Sequence, residues 1–124
     1  MKRKTIKNTA TLSGVGLHTG ASVNVTFKGA DAGTGIKFYR SDIDDDTALF
    51  ADVSNVIATN RGTTLRKGEV EVATVEHLLS AVHSLGIDDL HITLDGPEVP
   101  IMDGSAIMFY DTLVASEIIA LPSM

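Results

Sequence analysis

The strongest constraint on the fold of this chain is residues 73–86, where Val75, Leu78, Leu79, Val82 and Leu85 recur at helical spacing. At about 100° per residue these five side chains fall within an arc of roughly 120°. Glu76, His77, Ser80, His83 and Ser84 fill the opposite arc. Thr74 is placed to cap the start, and Gly86 suits the left-handed conformation that closes a helix end. The first turn also carries an adjacent carboxylate and imidazole, Glu76 and His77, both off the apolar stripe.

The flanking sequence reads mainly as strands. Residues 5–12 alternate loosely, and residues 22–28 alternate as a second strand beside them. Between them Gly14, Gly16 and Gly20 mark a loop with unusual dihedrals or a close backbone approach. Their spacing is not that of a nucleotide-binding fingerprint, and no amphipathic helix follows. Residues 36–40 form a short strand, residues 42–46 an acidic solvated loop, and residues 49–57 another strand-like run ended by a turn over residues 59–64. Position six of a calcium loop starting at Asp42 would be Thr47 and position twelve Val53, so the acidic run lacks the glycine and glutamate that an EF-hand needs. Residues 65–72 read as a hairpin turning at Lys67 and Gly68.

Beyond the helix, Leu90, Ile92 and Leu94 alternate inward and His91 and Thr93 outward, as in a half-buried strand. Two prolines and two glycines over residues 96–104 forbid regular structure there. A second helix is expected over residues 105–119, capped by Asp103 or Ser105, with Ile107, Tyr110, Leu113, Val114 and Ile118 buried. The fold class is therefore α+β: a two-layer sandwich of a mostly antiparallel sheet with both helices on one face, in a single domain spanning residues 1–124.

Composition narrows the function. A formal net charge of −6 argues against nucleic acid as a partner, and Lys2, Arg3 and Lys4 are too few to reverse that. No apolar run approaches a membrane span, and the start does not read as a signal peptide, so a cytoplasmic location is expected. With no cysteine, any metal must be held by His, Asp or Glu. His77 and His83, six residues apart on one helix, diverge by about 120° and do not chelate together. His83 and His91 read as surface or packed histidines. His18, in the glycine loop, fits a turn histidine and a site residue equally.

Four motifs occur in order: Gly14-Val15-Gly16-Leu17-His18-Thr19-Gly20, Thr74-Val75-Glu76-His77-Leu78, Leu85-Gly86-Ile87-Asp88-Asp89, and the run from Gly96 through Ala106. Together they resemble the amino-terminal domain of the zinc-dependent UDP-3-O-acyl-N-acetylglucosamine deacetylase family of lipid A biosynthesis. The resemblance covers nearly the whole chain, and residues 59–65 are similar to the family's segment before the hairpin. It implies two similar α+β domains whose helices are sandwiched between their sheets, with the active site at the junction. It further implies that His77 is a zinc ligand, that Glu76 is the general base, and that Leu17, His18 and Thr63 lie near the substrate passage. These residue types suit the chemistry, because zinc activates water and polarises an amide while a carboxylate takes the proton.

In that family the remaining zinc ligands, a histidine and an aspartate, and a further catalytic histidine come from a second domain, which nothing here resembles. The chain is thus expected to be inactive alone, with an incomplete Zn2+ site. Its expected partners are a UDP-sugar lipid substrate, the missing second domain, and a second copy of itself. That homodimer would form through the helix layer, with Ala81, Ala106, Phe109 and Ala120 exposed. The alternative reading is a catalytically inert binding or interaction module that retains the fold.

Overall fold

A computed structural model of the chain describes residues 2–51, 56–59 and 62–122. Among the described residues ten strands and two helices follow in order: β1 (Lys4–Ile6), β2 (Ala10–Val15), β3 (Ser22–Gly29), β4 (Ile36–Arg40), β5 (Asp44–Phe50), β6 (Val56–Thr59), β7 (Gly62–Lys67), β8 (Val70–Ala73), α1 (Glu76–Ser84), β9 (Leu90–Leu94), α2 (Ile107–Ala115) and β10 (Ile118–Ala120). The fold is α+β, as the sequence predicts. The described strands fall into three sheets: a five-stranded one ordered β2-β3-β9-β4-β5, a three-stranded one ordered β6-β7-β8, and the pair β1-β10. Among the described strands all pairings are antiparallel except β4 with β9, and Ala73 at the end of β8 makes an isolated parallel bridge to Glu98.

The five-stranded sheet has one apolar face. Register places Val25 opposite Leu94, Phe27 opposite Ile92, and Phe38 beside both Ile92 and Leu49. All six are fully buried, and they join Leu78, Ala81 and Val82 of α1 and Phe109 and Leu113 of α2 in one contiguous core. Burying each such side chain stabilises the fold by about 1.5–3 kcal/mol. The opposite face carries Asn24, Thr26, Lys28, Lys37 and His91, the polar half of the alternation.

Four expectations need correction. Residues 5–12 are not one strand: the chain breaks after Ile6, where the Lys7 and Asn8 N–H groups donate to the Ser116 carbonyl, and β1 and β2 enter different sheets. The acidic run is not wholly a loop, because β5 begins at Asp44, and strand pairing with Arg40 of β4 draws that residue into the sheet. The second helix ends at Ala115, and Ile118, expected in its buried stripe, instead pairs with Ile6 as part of β10. The buried face of α2 is Phe109 and Leu113, while Ile107, Tyr110 and Val114 are exposed, a rotation of the expected stripe. That segment is apolar nearly all round, so periodicity alone does not set its phase.

The hairpin β7-β8 forms as expected, but its turn is one residue later than the sequence suggests, at Gly68 and Glu69, because Lys67 still pairs with Val70. Of the turn expected over residues 59–64, Thr59 instead ends β6 and residues 62–64 belong to β7, with Thr59 paired to Gly62; residues 60–61 lie outside the described residues, as do residues 52–55 of the expected run over 49–57.

Candidate functional site

β8 delivers the chain into α1 through Thr74 and Val75. Val75 holds the N-cap position without a side-chain cap, and Thr74 takes a φ of 61°, a conformation a β-branched residue adopts only under constraint. Thr74 is therefore not the cap that the sequence suggests. Its hydroxyl donates instead to Glu98 Oε2 at 2.8 Å. At the other end Gly86 takes a φ of 67° just past the helix, as expected.

Glu76 is the first residue of α1, with its carboxylate exposed at a helix start where negative charge is favoured. The Thr63 N–H donates to Glu76 Oε1 at 3.3 Å, and the Val75 N–H donates to the Thr63 carbonyl. The structure thus brings two expected residues, Thr63 and Glu76, into contact. Gly62 makes this possible: a Cβ there would stand 2.6 Å from Glu76 Oε2, and its φ is +82°. His77 follows on the helix, half-buried. Asp103 is near enough to feel its charge; hydrogen bonds from the Ser105 hydroxyl and N–H, aided by His77, hold the Asp103 carboxyl below its ordinary value. The N-cap position of α2 is Ala106, without a side-chain cap, and not Asp103 or Ser105 as the sequence suggests; the Ser105 hydroxyl, one residue upstream, accepts the Ile107 N–H.

The glycine loop is more ordered than the sequence suggests. β2 runs through Gly14 to Val15, Gly16 bridges to Pro100, and the Gly20 N–H closes a turn on the Gly16 carbonyl. Leu17 projects from this turn with 58% of its surface exposed, and His18 is exposed beside it. Beneath the turn lies Glu98, fully buried, a residue the sequence reading passes over inside its proline-rich motif. A carboxylate between two prolines in an irregular stretch is the signal that could have found it.

Glu98 is fully engaged. It accepts the His18 N–H at 3.1 and 3.2 Å, the Thr19 N–H at 3.1 Å, the Thr19 hydroxyl at 3.2 Å and the Thr74 hydroxyl. Burial pushes its carboxyl pKa up, but these donors outweigh that and hold it below the ordinary value. A Cβ at Gly16 would collide with the Glu98 carboxylate, which accounts for that glycine.

The other two histidines lie elsewhere. His83 is exposed and borders an apolar hollow of about 240 Å³ with Ile36, Ala51, Leu79, Val82 and Ile87, which includes neither Glu76 nor His77. His91 is half-buried on the outer sheet face, 5.5 Å from the Tyr39 ring. Burial, then Lys37 and Lys28, lower its pKa. Among the described residues no three His, Asp or Glu side chains are grouped to hold a metal.

Comparison with known proteins covers almost the entire chain. The family model described as UDP-3-O-acyl N-acetylglycosamine deacetylase matches residues 3–123. Relatives named UDP-3-O-acyl-N-acetylglucosamine deacetylase include one from Geobacter sp. (strain M21), 49% identical over 86% of this chain and 35% of its own length. Another from Helicobacter hepaticus is 48% identical over 97% of this chain and 40% of its own length. A third, from Brucella melitensis, is 47% identical over 90% of this chain and 39% of its own length. The chain spans 35% to 40% of the length of these relatives.

Proposed function

Because the chain belongs to the UDP-3-O-acyl N-acetylglycosamine deacetylase family, we propose that it is the amino-terminal domain of an enzyme that hydrolyses the acetamide of UDP-3-O-acyl-N-acetylglucosamine in lipid A biosynthesis. The observation that carries this reading is the placement of Glu76 and His77 side by side at the exposed start of α1, with the carboxylate tethered by the Thr63 N–H. Glu76 is the general base and His77 one zinc ligand, the remaining ligands coming from a second domain of the same protein. When bound, zinc supplies a Lewis acid that polarises the amide and eases deprotonation of water.

This chain's own groups do the rest. The Thr63 N–H occupies Glu76 Oε1 and leaves Oε2 to accept the proton of the attacking water. Leu17, His18 and Thr63 border the substrate passage, where the exposed Leu17 offers an apolar contact to an acyl chain. The enzyme works in the cytoplasm; no helix among the described residues is long and apolar enough to cross a membrane.

Alone, the 124-residue chain is inactive and binds zinc weakly, and it pairs with a second copy through its helix layer. Two of the four residues first expected on that surface do not qualify, because Ala81 and Phe109 are buried. Ile107, Tyr110 and Val114 are exposed on α2 and take their place. The functional test is acetate release from the UDP-sugar by the complete protein. Zinc-dependent release supports the reading. A complete, folded, zinc-loaded protein that releases none points instead to an inert binding module.

A further inference from the structure

We propose that Glu98 is a positioning residue for the Glu76–His77 pair: its buried carboxylate fastens the turn carrying Leu17 and His18 to Thr74, and so fixes where α1 begins. This rests on the deacetylase reading for what the pair does, but its geometry is independent. Among the described residues Glu98 makes no hydrogen bond to Glu76 or His77; it acts two residues upstream of Glu76, through the Thr74 hydroxyl at 2.8 Å. On its other side it accepts both backbone N–H groups of His18 and Thr19.

Three further features converge on the same clamp. Thr74 holds a φ of 61°, which a β-branched residue keeps only when surrounding contacts impose it. The backbone of Ala73 is bound from the same side, its N–H donating to the Pro97 carbonyl at 2.9 Å and its carbonyl accepting the Val99 N–H at 3.0 Å. Gly16 leaves the space that a side chain would take from the carboxylate. From the opposite side Thr63 binds both Val75 and Glu76. The first turn of α1 is thus held between two walls, one built on Glu98 and one on Thr63. Shifting a reacting group by about 1 Å can cost on the order of 100-fold in rate, so a clamp on the helix start bears directly on Glu76.

The test uses the complete protein with four variants: Glu98→Ala, Glu98→Gln, Thr74→Val and Thr74→Ser. Glu98→Ala and Thr74→Val should lower kcat by about tenfold or more with the zinc retained. Glu98→Gln keeps an acceptor for the His18 and Thr19 N–H groups, and an amide for a reoriented Thr74 hydroxyl, and should fall between these and the parent. Thr74→Ser keeps the hydroxyl and should restore kcat to within about threefold. The amide resonance of Thr63, whose N–H donates to Glu76 Oε1, reads the position of Glu76 without any turnover. It should move in Glu98→Ala and Thr74→Val and return in Thr74→Ser.

Folded Thr74→Val or Glu98→Gln protein with parental kcat and an unmoved Thr63 amide would overturn the proposal, even if Glu98→Ala fails to fold. A parent that releases no acetate, while the Thr63 amide still responds to Thr74→Val, would sink the deacetylase reading and leave the positioning role standing.

Discussion

At the scale of single residues, two buried carboxylates hold irregular backbone in place. Asp89 is fully buried and accepts from Arg3 and from the Gly33 and Gly35 N–H groups. Burial raises its pKa, yet the Arg3 hydrogen bond and the two backbone donors bring it below the ordinary 3.8. A carboxyl whose folded pKa is depressed contributes stability that is present above its unfolded pKa and lost as the pH falls through the folded one. The parent should therefore lose stability progressively below about pH 4, and Asp89→Asn, less stable at neutral pH, should show a flatter acid limb in urea titrations at stepped pH. An unchanged acid slope would show that Asp89 is not a source of the dependence. Asp89 and Glu98 were both visible in the sequence only as members of motifs. Their burial depends on backbone donors from residues 54 to 80 positions away, which local pattern does not reveal.

At the scale of elements, legibility follows the contrast between faces. α1 and β9 are readable because polar and apolar positions separate cleanly, and buried Leu78, Val82, Leu90, Ile92 and Leu94 all fall where periodicity puts them. α2 is not, since Ile107, Met108, Phe109, Leu113 and Val114 supply apolar groups on every side, and contact with α1 and β2 chooses among them. The choice is testable by thermal or denaturant unfolding. Phe109→Ala should cost about 3–5 kcal/mol, whereas Val114→Ala on the exposed side should stay within about 0.5 kcal/mol. Comparable losses at both positions would restore the stripe that periodicity suggested. The break after Ile6 was hidden because only pairing with β10, far along the chain, separates β1 from β2 and buries both Thr5 and Ile6.

At the scale of the whole molecule, α+β architecture was accessible from one strong helix among alternating strands, while the division into three sheets was not, because strand pairing is a long-range choice. The exposed stripe of Ile107, Tyr110 and Val114 gives the isolated chain an apolar surface that association would remove from water. Light scattering across a concentration series should show a dimer that Ile107→Glu shifts to monomer; a strictly monomeric parent would remove the helix-layer pairing. The family assignment rests on four ordered motifs and a match over residues 3–123. The roles within the site rest on two adjacent side chains of different chemistry, and they separate most directly in a paired measurement of zinc content and turnover on the complete protein. Glu76→Ala should keep its zinc and lose about 10²–10⁴-fold in kcat, while His77→Ala should lose zinc affinity as well. Near-parental turnover in Glu76→Ala, or full zinc occupancy in His77→Ala, would contradict the division of labour between base and ligand.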